Sequence, residues 1–150
     1  MGTTLVIVVA CIVGAVVAIA LVSRQIMRRK HEAEKRARDR VAGEEIELVD
    51  DMANFFGVES SGAAQVRGNG CLVLAAKHLV FAMWVPRREI VIARDRITGI
   101  ETPRSFLGKT KGVKLLQVSF RNDRDAEDSA AWIVRRLEQW RTALDGEKKP

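Results

Sequence analysis

Residues 5–22 read L-V-I-V-V-A-C-I-V-G-A-V-V-A-I-A-L-V, a run without a charge or a strong polar group. As a helix it spans about 27 Å at about 1.5 Å per residue. A bilayer's hydrocarbon core is about 30 Å thick. So much Val and Ile would favour strand in water. In lipid, however, every backbone N–H and C=O must find its partner inside the segment, and helix is the solution. The run therefore reads as a single transmembrane helix at 5–22 with an external tail at 1–4. What is left is enough for one small domain.

Two other readings of the start fit less well. A cleaved signal peptide wants a basic stretch ahead of the apolar run, and Met1–Thr4 carries no charged side chain. Val8-Val9-Ala10-Cys11 resembles a lipoprotein box, but too few apolar residues precede Cys11.

Net charge is +6, and its distribution is more telling than its size. Residues 24–40 sum to +5, residues 41–66 to −6 and residues 67–150 to +7. The high pI is thus no nucleic-acid signature. Bases next to an apolar span suit anionic lipid, with Arg24, Arg28, Arg29 and Lys30 nearest to it. The positive-inside rule then places the N-terminus outside and the C-terminal domain in the cytoplasm, as in a bacterial inner-membrane protein. Cys11 in the span and Cys71 in the domain cannot pair, so Cys71 is expected as a packed, reduced thiol.

Within the span, Ala10, Gly14 and Ala18 recur on one helical face. Small residues at this spacing let two helices approach, so a homodimer through the span is a candidate. Residues 23–43 read as a basic juxtamembrane helix. It carries Glu32–Arg36 and Glu34–Arg38 pairs at i,i+4 and ends at Gly43. Ile46, Val49, Ala53 and Phe56 keep 3,4,3 spacing behind several acids. Residues 44–57 are therefore expected as an acidic amphipathic helix, with Gly57 just past its C-terminus. That acidic segment is a candidate mask for either basic region.

From Gly62 the period changes to two. Strands are expected at 63–67, 71–75, 79–84, 89–93, 97–101 and 116–120, separated by turn residues, with a polar basic loop at 102–112. The end is ambiguous: Ile133, Leu137, Trp140 and Leu144 keep helical spacing, while Ala130, Trp132 and Val134 alternate. A seventh strand at 129–135 followed by a helix at 136–144 is favoured, with Trp140 plugging one end of a small β domain.

The blocks G-N-G-C-L-V-L-A-A-K-H-L-V-F at 68–81 and R-E-I-V-I-A-R-D-R-I-T-G-I-E at 88–101 resemble GRAM and bacterial pleckstrin-homology-like domains. L-L-Q-V-S-F at 115–120, D-S-A-A-W-I-V at 128–134 and L-E-Q-W at 137–140 fit the same pattern. Ala93 and the Ala75-Ala76 pair depart from it. The resemblance implies an α+β fold over 58–146, a strongly bent seven-stranded barrel capped by a C-terminal helix, with a tail at 147–150. It also implies binding to lipids, phosphoinositides or protein segments.

No catalytic or metal-binding pattern emerges, so a non-enzymatic protein without cofactor is expected. Gly108-Lys109-Thr110 lacks the first glycine of a P-loop, because that position is Pro103. His31 and His78 sit far apart, without Cys/His metal spacing. Asp123, Asp125, Glu127 and Asp128 lack the glycine and final glutamate of a calcium loop.

One charge pattern does stand out. In a meander every second loop lies at the same end. The loops after strands one, three and five carry Arg67, then Arg87 and Arg88, then Arg104, Lys109, Lys111 and Lys114. These seven bases form a candidate anion-binding rim for lipid headgroups. The functional expectation is a membrane-tethered cytoplasmic binding module. The alternative is an adaptor whose barrel or sheet edge captures a partner protein.

Overall fold

A computed structural model describes residues 2–146. The expected tail at 147–150, and Met1 of the tail at 1–4, lie outside the described residues. Helix α1 runs unbroken from Gly2 to Arg40, about 58 Å of helix. A turn at 41–43 follows, in which Gly43 takes a φ of 87°.

The rest is one antiparallel sheet with two additions. Its strands are β1 (Ile46–Val58), β2 (Gly68–Ala75), β3 (His78–Met83), β4 (Glu89–Ala93), β5 (Ile97–Glu101), β8 (Leu116–Arg121) and β9 (Glu127–Ile133). Two-residue strands β6 (Ser105–Phe106) and β7 (Lys109–Thr110) form a separate hairpin between β5 and β8, and helix α2 (Leu137–Asp145) ends the fold. The spatial order is β4-β3-β2-β1-β9-β8-β5. The architecture is α+β, with an apolar N-terminal helix, seven main strands and a C-terminal helix.

The first correction falls on 44–57. This acidic segment is the central strand β1, paired with β2 on one side and β9 on the other. Register shifts between Ile46 and Leu48, between Asp50 and Ala53 and between Phe55 and Gly57 break its alternation. Each added residue turns the following side chains to the other face. The result in sequence is a 3,4,3 spacing that imitates a helix. Gly57 is a bulge residue at φ 146°, and a Cβ there would lie 3.0 Å from the Leu107 side chain. The domain therefore begins at Ile46 rather than 58. The expected strand at 63–67 is instead loop, and the polar loop at 102–112 contains the β6–β7 hairpin. The seventh strand and final helix lie at 127–133 and 137–145.

The inner face of the sheet holds the main core. Phe55, Phe81 and Trp132 form an aromatic cluster with centroids 5.3–6.0 Å apart, and Trp140 and Leu144 of α2 close over it. Gly70 is required beside this cluster, since a Cβ would sit 2.4 Å from the Ala82 carbonyl oxygen.

The outer face has two covers. Ala33 and Ala37 of α1 and Val41 just past its end, all buried, pack on Cys71, Val73, Ala75, Val80 and Ala82. The β6–β7 hairpin lays Phe106 against Phe56, Leu115 and Ala131. Strand β1 is thus covered on both faces, which explains its density of apolar residues.

Candidate functional site

The loops after β1 (59–67), β3 (84–88) and β5 (102–115) meet at one end of the sheet. Gln65 is their hub. Its Oε1 accepts from the Arg88 guanidinium at 3.0 Å and its carbonyl oxygen accepts from Lys109 Nζ at 3.0 Å. Its amide also donates to the Val58 carbonyl oxygen at 2.5 Å. Arg67 lies over the Phe56 ring at 3.9 Å, and Arg88 over the Phe55 ring at 5.3 Å. Such stacking holds a guanidinium in place while leaving its charge unspent.

The structure therefore brings Arg67, Arg88 and Lys109 together. Arg104, Lys111 and Lys114 are exposed on the same loop as Lys109. Arg87 differs: its guanidinium pairs with Glu32 of α1 at 3.1 Å. Among the described residues none of the other six bases has a carboxylate within salt-bridge distance. The three loops contain seven bases and one acid, Glu59, which accepts a hydrogen bond from Ser129 Oγ at 2.6 Å. The connections at the opposite end (41–45, 76–77, 94–96 and 122–126) contain four bases and five acids. At that end Arg94 is buried and donates to Glu47 and to the Ala75 and Ala143 carbonyl oxygens.

The basic collar splits in two. Arg24, Arg28 and Arg29 are exposed, with no ion pair among the described residues. Lys30 pairs with Asp51 of β1 at 2.5 Å, and Arg36 and Arg40 both reach Glu89 of β4. Arg36 also donates to the Met83 carbonyl oxygen at 2.6 Å. The Glu34–Arg38 pair forms as expected, whereas Arg36 turns away from Glu32 to these partners. Lys30 is thus tied to the domain through Asp51 of β1, the one pair among the described residues between the four collar bases and the acidic segment.

Two carboxylates respond to these contacts. The Lys30 hydrogen bond, with Arg135 beside it, holds the Asp51 carboxyl below its ordinary range despite partial burial. Burial alone would raise the Glu44 carboxyl. The His78 side chain and the Lys77 backbone N–H outweigh it and leave Glu44 lowered. Cys71 is a free, buried thiol, and desolvation, with Glu34 and Asp51 nearby, pushes it up to about 12.

The contacts of α1 fix its direction. Glu44 and Glu45 touch the β2–β3 turn, through His78 Nδ1 and the Ala76 N–H. Glu32 touches the 84–88 loop at the other end through Arg87. Traced toward its N-terminus, α1 thus leaves the sheet at the basic end and continues into the apolar run. Ala10, Gly14 and Ala18 are exposed on that run, with nothing within 4 Å of a Cβ built at Gly14. The residues that seat α1, Ala33, Ala37 and Val41, were not singled out from sequence. Their i,i+4,i+8 stripe among charges was the available signal.

No protein-family model and no curated protein matches the chain. Among solved structures it is similar to the crystal structure of the C-terminal domain of an unknown protein from Leishmania infantum. The TM-score is 0.57 at 14% identity, covering 78% of this chain and 95% of that one. At that identity the likeness concerns fold alone. Among the described residues no group of three or more His, Cys, Asp or Glu is placed to hold a metal ion. Among the described residues one helix, α1, is long and apolar enough to cross a membrane, and none of its apolar window is buried.

Proposed function

We propose that the chain is a single-pass membrane protein whose pleckstrin-homology-like (GRAM-like) sheet domain binds anionic lipid headgroups without catalysis. The domain would sit on the cytoplasmic side of an inner membrane. The observation that carries the reading is the placement of six bases, without carboxylate partners among the described residues, at the end from which α1 departs toward its apolar run. Each base near an anionic surface contributes about 1 kcal/mol. The continuity of α1 from the apolar run into its seat on the sheet favours a retained anchor over a cleaved leader. The bent barrel belongs to this reading, with β4 and β5 as the sheet's terminal strands. So does a span dimer through Ala10, Gly14 and Ala18.

The test is vesicle flotation of fragment 30–150, which keeps the α1 residues that cover the sheet. Binding to vesicles containing phosphatidylglycerol should be salt-sensitive and should fall strongly in the Arg104→Glu, Lys111→Glu, Lys114→Glu triple variant, with its melting temperature kept. Equal binding by variant and parent would contradict the proposal. A protein adaptor is the second reading, and the open outer edge of β4 with its exposed Val91 favours it. A co-purifying partner lost on Val91→Lys would support that reading instead.

A further inference from the structure

Five large apolar side chains of the sheet domain are exposed: Met52, Val66, Val85, Val91 and Val113. Val91 lies on the β4 edge and Met52 on β1. The other three fall one in each loop of the basic end, with exposures of 63%, 50% and 47%. Each is set among bases: Val66 before Arg67, Val85 two residues before Arg87, and Val113 between Lys111 and Lys114. Pro86, also exposed, adjoins Val85. An aqueous ligand would not need three separate apolar tips. A bilayer interface, with phosphates outside and hydrocarbon beneath, suits apolar tips ringed by cations.

The position of α1 makes the contact geometrically feasible. Glu32 marks the level of the 84–88 loop, through its pair with Arg87. Ten residues separate it from Val22, a rise of about 15 Å. The headgroup layer takes up about 5–7 Å of that. A helix tilt of about 20°, ordinary for a transmembrane helix, lowers loops lying to one side of the axis toward the surface. Exposed Ile26 and Met27 extend the apolar side of α1 past Val22 and shorten the distance further.

We propose that Val66, Val85 and Val113 insert as three apolar tips into the interfacial layer of the anionic leaflet from which α1 emerges, with the surrounding bases on lipid phosphates. This rests on the reading of α1 as a span and of the basic end as lipid-facing, and adds insertion to it. Insertion would fix the domain's orientation, which charge alone leaves free to slide.

The experiment uses the full chain carrying Cys11→Ala, with a single thiol introduced by Val66→Cys, Val85→Cys or Val113→Cys. Asp123→Cys, at the opposite end, is the control. Buried Cys71 stays unlabelled. Each thiol carries an environment-sensitive dye in proteoliposomes of phosphatidylcholine with or without phosphatidylglycerol, with a nitroxide on the lipid chain as quencher. The expected result is blue-shifted emission at the three valine positions, quenched at least about twofold more than at position 123. Shielding from an aqueous quencher that depends on phosphatidylglycerol, without quenching by the chain nitroxide, would overturn insertion and leave headgroup binding standing. Emission at all four positions equal to that in water would overturn both.

Discussion

The two parts of α1 are one helix in two surroundings. From residue 2 to 29 every described side chain is exposed, and most are apolar. From Lys30 to Arg40 the helix is studded with charge, yet Ala33, Ala37 and the adjoining Val41 are almost wholly buried. Within the first part, residues 5–22 are apolar all round and none of them is buried against the other described residues. The second has a narrow stripe of small residues that lets it lie close on β2 and β3. Burial therefore follows the pattern of hydrophobicity around the helix rather than its amount.

The largest effect should come from breaking the seat. Ala37→Glu places a charge against Val73 and Val80 and should destabilise the domain by about 3 kcal/mol. That corresponds to a fall in melting temperature on the order of 15 °C in fragment 30–150. Ala18→Leu, an enlargement of similar kind in the exposed part, should leave the domain's thermal unfolding unchanged in the full chain. Equal shifts for both changes would erase the distinction.

A smaller effect is expected from the polar ties around the seat. Arg36→Ala removes the bonds to the Met83 carbonyl oxygen and to Glu89 and should cost about 1–2 kcal/mol in denaturant unfolding. A cost below the error of measurement would leave the apolar stripe as the sole fastening.

The smallest effect is a pH dependence at Asp51. Its folded-state pKa lies below the ordinary 3.8, so the unfolded chain binds the proton more tightly. The stabilisation is therefore complete above the ordinary value and is lost as pH falls through the folded one. Asp51→Asn should cost about 0.5 kcal/mol at neutral pH, the scale of a partly exposed pair. The gap to the parent should close in acid. A gap independent of pH would mean that Asp51 acts through packing.

The same contrast explains what the sequence disclosed. The apolar run was legible because it is long, uncharged and unbroken, the pattern of a helix able to cross a membrane. Strands β2 to β5, β8 and β9 were legible from alternation and turn residues. Strand β1 was not, because its bulges break the alternation and burial on both faces hides the rest. Chain order placed Arg88 and Lys109 in alternate loops, whereas the turn expected after strand one, 68–70, lies within β2, and Arg67 instead ends the loop that follows β1. The diversion of Arg87 to Glu32 and of Lys30 to Asp51 could not be read, because both depend on how α1 crosses the sheet. Neither could the grouping of Val66, Val85 and Val113, which are ordinary residues until three loops place them at one end.

The central claim is that α1 holds the basic end of the sheet toward the bilayer. The direct measurement is energy transfer from a donor on the domain to acceptors on lipid headgroups, in proteoliposomes of the full chain carrying Cys11→Ala. One sample has its donor at Lys111→Cys and the other at Asp123→Cys. Transfer should be markedly stronger from position 111, since six residues of strand separate the ends by about 20 Å. Equal transfer, or stronger transfer from position 123, would contradict the orientation and with it the lipid-facing role of these loops.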